Sequence, residues 1–416
     1  MTWEPLLWIL VALGLLSLGF ACTAIVSAYR FRRHVLASRV WDRSAFAPRV
    51  LVLVPCRGAD PDLGKNLDAV LAQEHAAYRV VFCVDRLDDG AVAVIEAARA
   101  RTRVPTGIAV ASDIPELGGK GLALLGGLAT RRSPDEVVVF LDSDIRPHPG
   151  FLRDLVQPLA LPSIGATTGY RWYVPVHGGL WSVVRSAWNM AGLNIFFSDR
   201  YNFAWGGAWA IRRETLDRLD LPRLWRGTLS EDLAVTHAVK ALDLRVQFVP
   251  QCVAPTFEDC DRKECVQWTD RQTAMVALWG RHIRNFAAMV YGVVDGSLLL
   301  GLMCVALAPL VDARFLIPSI LFLVDLPVTI ANGAIRRRAV FVGSPDLGAS
   351  WVVPGRRWAV ANLIVPWLIA GNLLRTRRVR MIEWRGKRYA VTGDPRSGGL
   401  RRSTGLPSAP PPQARR

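Results

Sequence analysis

The sequence predicts an α/β protein in which a parallel sheet, wrapped by helices, is joined to membrane helices. Three observations support this fold class. Strand patterns and helical patterns alternate between residues 49 and 141, which is typical of βαβ units and a parallel sheet. The apolar run at residues 5–27 is long enough to cross a bilayer. Two more apolar runs of spanning length follow residue 284.

Hydrophobic periodicity assigns each element of the sheet domain in turn. Pro55 is expected to close the first strand, and the acidic start of the first helix suits the helix dipole. The last strand is apolar throughout, as in a strand buried on both faces. Residues 164–249 are less regular and must complete the domain. The predicted strands are residues 49–54, 80–84, 108–111 and 137–141, and the predicted helices are residues 61–74, 91–100 and 120–129.

The apolar runs predict the membrane topology. Basic residues follow the first run and none precede it, which favours a retained anchor over a cleaved signal peptide. The same basic residues predict that the domain after the anchor lies in the cytoplasm. Residues 286–311 and 315–334 predict a hairpin with both ends cytoplasmic. Residues 358–374 predict a re-entrant or interfacial helix, because a full crossing would carry the basic C-terminal segment outside. The predicted organisation is an anchor at 1–29, a cytoplasmic domain at 48–284, a membrane segment at 285–376, a basic segment at 377–392 and a disordered tail at 393–416.

The amino-acid composition indicates which class of binding partner to expect. The 416 residues are 51% hydrophobic and carry a formal net charge of +16. The arginines cluster beside apolar segments, which favours an anionic membrane surface over nucleic acid as the partner. The seven cysteines show no CxxC spacing, so neither a disulfide framework nor a zinc site is expected.

Three acidic motifs follow predicted strands or begin a helix. Asp142-Ser143-Asp144 ends the apolar strand at 137–141. Two carboxylates at such an edge suit Mg²⁺ or Mn²⁺ carrying a diphosphate, although an acidic turn is an equal alternative. A second motif, residues 85–89, follows the strand at 80–84. In the third, Ser230-Glu231-Asp232, the residues could instead cap a helix.

In this order, the motifs resemble family 2 inverting glycosyltransferases, and specifically the ceramide glucosyltransferase branch, over most of the chain. The resemblance implies a GT-A fold. It is carried by VPCRGADP at 54–61, CVDRLDD at 83–89, GKGLAL at 119–124, GGAWAIRR at 206–213 and WRGKRY at 384–389. Two departures concern Asp144, where the branch commonly has Gly, and residues 268–272, which read WTDRQ where Gln-x-x-Arg-Trp is usual.

The resemblance also implies roles for individual residues. Asp144, helped by Asp142, would hold the metal ion, and Asp232 would be the general base on the acceptor hydroxyl. Lys120 and Arg271 would offset phosphate charge. The remaining implied positions are Pro55, Arg57, Asp85, Asp88 and Asp89 around the nucleotide, Gly206 and Gly207 beneath the donor sugar, and Glu231, Trp268 and Gln272 on the phosphate or acceptor side.

The resulting hypothesis is a membrane enzyme that moves a hexose, expected to be glucose, from a UDP-sugar to a lipid hydroxyl such as that of ceramide. A polysaccharide synthase or a polyprenyl-phosphate glycosyltransferase is an alternative of the same class. A processive synthase normally needs more spanning helices for its channel. A catalytically dead membrane scaffold is the non-enzyme alternative, and the intact acidic series argues against it.

Overall fold

The chain forms two compact units. The computed structural model describes residues 3–38, 46–112, 114, 119–226, 228, 230–279, 281–344, 347, 353–377, 381–384, 387–391 and 400–402. The helical unit comprises Met1–Arg39, Tyr173–Phe197 and Glu258–Arg377, and the sheet unit comprises Val40–Trp172, Ser198–Phe257 and Arg378–Arg416. Most of the predicted tail at 393–416 lies outside the described residues.

The strands and helices alternate along the chain much as predicted. The strands are β1 Val50–Cys56, β2 Tyr78–Val84, β3 Thr106–Val110, β4 Val137–Leu141, β5 Ile164–Val174, β6 Ala208–Arg212, β7 Arg245–Phe257, β8 Met381–Trp384, β9 Lys387–Val391 and β10 Leu400–Arg402. The α-helices are α1 Glu4–Ala37, α2 Leu63–Leu71, α3 Ala91–Arg99, α4 Gly119–Leu128, α5 Phe151–Val156, α6 Leu180–Gly192, α7 Arg213–Asp217, α8 Leu221–Trp225, α9 Glu231–Ala241, α10 Arg262–Trp279, α11 Arg281–Leu310, α12 Leu316–Leu323, α13 Asp325–Gly343 and α14 Gly355–Thr376.

The main sheet is mixed rather than wholly parallel. Its strand order is β3-β2-β1-β4-β6-β5-β7. The pairs β1/β2, β2/β3 and β1/β4 are parallel, whereas β6 is antiparallel to both β4 and β5. The prediction of a parallel sheet is therefore confirmed for β1 to β4. Strand β6, which runs antiparallel, belongs to residues 164–249, for which no strand was predicted.

Strand β1 continues past its predicted end. Pro55 pairs with Cys83 of β2, but the pairing of β1 with β4 covers only Val50–Leu53. At Pro55 the strand thus has a described partner on one side, where a missing backbone N–H is tolerated. Its neighbour β4 is buried along its whole length, as predicted, and Phe140 of β4 stacks on Trp209 of β6 at 3.9 Å between ring centroids.

The helical unit contains the apolar helices. By length and composition, Glu4–Ala37, Ile283–Leu310, Ala313–Gly343 and Gly355–Thr376 are each capable of crossing a membrane. Helix α1 packs against α12 and α13, and α14 packs against α6, α10, α11 and α13. The buried face of α1 recurs at heptad-like spacing, whereas Trp8 and Leu16 on its other face are 64% and 71% exposed. An apolar surface of this kind suits contact with lipid.

Two acidic side chains are buried among these helices. The Ser17 hydroxyl of α1 donates to Asp325 Oδ2 at 2.8 Å and lies 2.7 Å from the Ser297 hydroxyl of α11. Asp295 of α11 is also buried, and within the described part of the chain neither of its oxygens has a hydrogen-bond partner. The re-entrant or interfacial placement of residues 358–374 stays a prediction, although α14 is a continuous helix of 22 residues.

Candidate active site

The Asp142-Ser143-Asp144 motif lies at the carboxyl end of β4, and three neighbouring groups fix its backbone. The Asp142 N–H donates to the Gly207 carbonyl at 2.9 Å. The Asn66 amide of α2 donates to the Ser143 carbonyl at 3.1 Å, and the Thr256 hydroxyl of β7 donates to the Asp144 carbonyl at 2.9 Å. Carboxyl ends of sheet strands are the usual place for ligand sites in α/β proteins.

Arg171 of β5 binds both aspartates of the motif. Its Nη1 donates to Asp144 Oδ2 at 2.7 Å, and its Nη2 donates to Asp144 Oδ1 at 2.6 Å and to Asp142 Oδ2 at 2.9 Å. The Arg171 side chain is only 12% exposed. A bidentate ion pair of this kind balances the charge of the guanidinium and also fixes its orientation.

Lys120, at the start of α4, joins the aspartate motif to α9. Its Nζ lies 2.9 Å from Asp142 Oδ1 and 2.6 Å from Glu231 Oε1, and it donates to the Gly206 carbonyl at 3.0 Å. Burial alone would lower the pKa of Lys120, but Asp142 and Glu231 outweigh burial and raise it. Burial also raises the pKa of Glu231, an effect that Lys120 partly offsets.

Asp232 is tied to the turn before β6. Its Oδ2 accepts the Gly206 N–H at 2.8 Å, and its Oδ1 accepts the Leu233 N–H at 2.8 Å and the Ser230 hydroxyl. The structural alternative holds only in part, because Ser230 precedes α9 without a capping hydrogen bond from its side chain, whereas Glu231 and Asp232 do lie in the first turn, where acids suit the helix dipole. Instead, Ser230 orients the Asp232 carboxylate.

Both positions of this turn require glycine, because neighbouring side chains approach the Cα atoms too closely to leave room for a Cβ. A Cβ on Gly206 would lie 2.9 Å from Asp232 Oδ2 and 3.1 Å from Glu231 Oε1. A Cβ on Gly207 would lie 2.2 Å from the Trp205 ring. Trp205 in turn has its ring centroid 5.3 Å from the Arg171 guanidinium carbon, so the turn contacts both ends of the cluster.

These contacts define one charged cluster, formed by Lys120, Asp142, Asp144, Arg171, Glu231 and Asp232. Four carboxylates and two cations leave the charged cluster with two excess negative charges when all six groups are ionised. The arrangement can therefore attract a divalent cation, while it presents two cationic side chains that suit an anionic ligand.

The predicted nucleotide residues divide into partly buried and exposed groups. Arg57 forms a loose ion pair with Asp85 at 3.7 Å. Asp89 is used internally, since its Oδ1 accepts the Gly58 N–H at 2.7 Å and the Ala91 N–H at 2.8 Å. Asp88 is 66% exposed and pairs with its neighbour Arg86. The Asp85 side chain is 24% exposed, and its contact with a nucleoside stays a prediction.

Trp268, Arg271 and Gln272 lie on α10 of the helical unit. Trp268 packs edge-on against Tyr173 and Trp188, with ring centroids 5.1 and 5.3 Å apart. This aromatic packing is sufficient reason for a Trp at that position. Arg271 and Gln272 are both half-buried. Their participation in phosphate or acceptor binding stays a prediction.

The comparisons with known proteins identify the family. Residues 48–288 match the model described as glycosyltransferase like family 2. The chain belongs to glycosyltransferase family 2. It is therefore a transferase enzyme, and the matched residues contain the whole charged cluster. No curated protein matches the sequence.

Solved structures of glycosyltransferases are similar at low identity. The mannosyltransferase PcManGT from Pyrobaculum calidifontis, in complex with GDP-Man and Mn²⁺, is 16% identical, covers 87% of this chain and 99% of its own, and has a TM-score of 0.45. Glucosyl-3-phosphoglycerate synthase from Mycobacterium tuberculosis, in complex with Mn²⁺ and UDP, is 18% identical, covers 55% of this chain and 77% of its own, and has a TM-score of 0.34. The family assignment rests on the match over residues 48–288 and not on these likenesses.

Asp142 and Asp144 are chemically suited to the divalent cation that the sequence predicts. Mg²⁺ is usually held by one or two carboxylates together with phosphate oxygens of the substrate, and the charged cluster has two negative charges in excess. Within the described part of the chain, no group of three or more His, Cys, Asp or Glu residues is arranged to hold a metal ion. Two carboxylates suit only a cation that takes its remaining ligands from a bound diphosphate or from water.

Arg171, Asn66, Thr256 and Trp205 are site residues that the sequence reasoning missed. Arg171 had a signal, because it is the one charged residue in a strand that is otherwise buried along its length. Asn66 lies within the predicted helix at residues 61–74 and had no signal of its own. Thr256 and Trp205 had no usable signal, since a Thr or Trp next to a strand is most often a packing residue.

Proposed function

We propose that the protein is a membrane-bound inverting glycosyltransferase that moves a hexose, glucose in the first instance, from a UDP-sugar to the hydroxyl of a membrane lipid. The observation that carries the proposal is the charged cluster. The charged cluster places two basic side chains, the pair Asp142 and Asp144, and a separate carboxylate, Asp232, together within a family 2 domain. The catalytic domain is proposed to face the cytoplasm.

The proposed binding of the UDP-sugar depends on the two basic side chains and on the aspartate pair. Lys120 stays protonated at physiological pH, since its neighbours raise its pKa, and it offsets phosphate charge from beneath the Gly206 turn. Asp142 and Asp144 would hold a divalent cation, which when bound supplies a Lewis acid for the leaving diphosphate. Asp85 and Arg57 are proposed to line the nucleoside end.

The chemical step is assigned to Asp232. As general base it takes the proton of the acceptor hydroxyl while the hydroxyl oxygen attacks the anomeric carbon in line and the nucleoside diphosphate leaves. The Gly206 N–H and the Ser230 hydroxyl hold the carboxylate in one orientation. Such pre-orientation reduces the entropic part of the barrier.

The acceptor class is supported by the four apolar helices. A lipid hydroxyl is confined to the membrane surface, and an enzyme embedded in the same bilayer meets it without extracting the lipid into water. The N-terminal helix would be sufficient as a tether alone. The three further apolar helices therefore favour a role in receiving the acceptor.

The test is transfer by the full-length protein in detergent. It is incubated with UDP-sugars and membrane lipid extracts, and products are identified by mass spectrometry. Hexosylated lipid is expected from the wild-type protein and from Asp68→Asn, a matched control whose carboxylate pairs with Arg101 at the surface. Asp232→Asn should give none. Transfer to water-soluble acceptors alone, or no consumption of any UDP-sugar, would rule the proposal out.

A further inference from the structure

We infer that Arg171 is a second diphosphate-binding residue, which neutralises Asp142 and Asp144 in the donor-free protein and exchanges them for the donor's diphosphate when a divalent cation binds. This inference rests on the proposed use of a nucleotide-sugar donor. It assigns a role to a residue that lies outside the motifs by which the sequence resembles its family.

The contacts of the aspartate pair lead to this inference. Arg171 contacts both oxygens of Asp144 and Oδ2 of Asp142 at 2.6–2.9 Å. Lys120 lies 2.9 Å from the remaining oxygen, Asp142 Oδ1. All four carboxylate oxygens of Asp142 and Asp144 therefore already contact a positively charged side chain. A cation can take Asp144 only if the guanidinium withdraws from it.

The withdrawn guanidinium needs a new partner. Arginine stays protonated in proteins, and a largely buried cation without an anionic partner is strongly unfavourable. When a divalent cation replaces it at the aspartates, the nearest anion supplied by the reaction is the diphosphate on that same cation. Arginine binds phosphate groups through two parallel N–H donors, the same geometry that it uses here with Asp144.

The position of Arg171 on the sheet keeps it within reach of both partners. It projects from β5, a strand of 11 residues, rather than from a loop. Its guanidinium carbon lies 5.3 Å from the centroid of the Trp205 ring, in the turn that leads to Gly206 and Gly207. A cation over an aromatic face is stabilised by the ring, so Trp205 is expected to hold the guanidinium while its donors turn from the aspartates to the diphosphate.

The exchange makes opposite predictions for the metal and for the nucleotide. In Arg171→Met the aspartates lose their competing cation, so Mn²⁺ should bind the nucleotide-free protein at least about tenfold more tightly. The same variant lacks a phosphate ligand, so UDP should bind about tenfold more weakly at saturating Mn²⁺. Loss of a residue that only supports the fold would weaken both.

The experiment measures free Mn²⁺ by electron paramagnetic resonance and UDP binding by calorimetry, on the full-length protein in detergent. Arg171→Lys retains the charge but cannot bind two aspartates at once. Its Mn²⁺ affinity and its UDP affinity should therefore lie between those of the wild-type protein and of Arg171→Met. It also provides a variant that keeps the buried charges balanced if Arg171→Met does not fold. Arg101→Met, which removes an equal charge from the surface pair with Asp68, should match the wild-type protein.

Two results would overturn the inference. One is unchanged or weaker Mn²⁺ binding by nucleotide-free Arg171→Met, or by Arg171→Lys if the Met variant does not fold. The other is unchanged UDP affinity in the same variant at saturating Mn²⁺. Failure of the proposed function is distinguishable, because in that case the wild-type protein itself would bind no UDP or transfer no sugar.

Discussion

At the scale of single residues, Gly206 illustrates how little space the charged cluster leaves. Gly206→Ala would put a methyl group 2.9 Å from Asp232 Oδ2 and 3.1 Å from Glu231 Oε1. Both carboxylates would have to shift, so we expect a loss of kcat of about 10²-fold or more, as for misplacements of about 1 Å in catalytic groups. Steady-state kinetics on the detergent-solubilised protein measure the effect.

Gly64→Ala is the matched control for this substitution. Gly64 lies inside α2, and a Cβ there meets only Val94 Cγ1 at an ordinary 3.7 Å. Alanine is favoured over glycine inside helices by about 0.5–1 kcal/mol, so this variant should keep full activity and gain slightly in melting temperature. If both variants were equally active, the close packing around Gly206 would have no catalytic meaning.

Asp232→Asn tests the general base separately. The amide keeps nearly the same shape but cannot take a proton, so kcat should fall by about 10²-fold or more. The affinity for UDP should change little, because the residue acts on the acceptor. Calorimetric titration with UDP distinguishes the roles, since an equal loss of UDP affinity would make Asp232 a nucleotide ligand or a structural residue.

At the scale of secondary-structure elements, Lys120 is the link between α4, β4 and α9. Lys120→Met would leave Glu231 and Asp142 without this cation. Removing one partner of a buried ion pair typically costs about 3–5 kcal/mol. We therefore expect a clear fall in the melting temperature of the donor-free protein, measured by intrinsic tryptophan fluorescence. Lys65→Met is the control, because Lys65 is 72% exposed in its pair with Asp62.

The sign of the pH dependence follows from Glu231. Burial raises the pKa of this carboxyl in the folded protein, so its contribution to stability is present at low pH and is lost as pH rises through the folded pKa. Without Lys120 the ionised form is penalised further. The difference in melting temperature between Lys120→Met and the wild-type protein should therefore be largest near pH 8 and shrink toward pH 5. A difference that grows toward acid would contradict the assignment.

The elements with simple patterns were predictable, and those with long-range pairing were not. Strand β4 was predicted with its observed bounds, because five consecutive apolar residues end abruptly at an acid. Strand β6 was not predicted, because its place and direction are set by its pairing with β4 and β5 across the sheet. Local patterns carry no information on which strand will be the neighbour.

The charged cluster shows the same division. Lys120, Asp142, Asp144 and Asp232 were found from motifs, and the structure brings them together. Arg171 was not found, because a single Arg in a strand has no spacing by which to relate it to acids 27 and 29 residues earlier. The use of Asp89 in a turn was likewise hidden, since Asp85, Asp88 and Asp89 look equivalent in the sequence.

At the scale of the whole molecule, the topology prediction can be tested by fusions expressed in a bacterial host. Green fluorescent protein fused after Arg416 should fluoresce, because the basic residues near the ends of α13 and α14 favour the cytoplasm. Alkaline phosphatase fused after Asp312, between α11 and α12, should be active on the outer side. The pair of fusions with the reporters exchanged is the control.

The opposite result at Arg416 would change the topology. A dark fluorescent fusion together with an active phosphatase fusion would mean that α14 crosses the membrane completely. Its 22 residues are sufficient for that. In that case the re-entrant or interfacial placement would be wrong, and the basic C-terminal segment would lie on the outer face.

The hydrogen bond between Ser17 and Asp325 joins groups that are synthesised far apart in time. They are 308 positions apart, which corresponds to about 15–60 s of translation at about 5–20 residues per second. In the proposed membrane topology, α1 is in the bilayer during that interval without α12 and α13. A lone serine tolerates the wait, because its hydroxyl can bond to a carbonyl of its own helix. The aspartate, which has no such option, is made last, when its partner is already in the membrane.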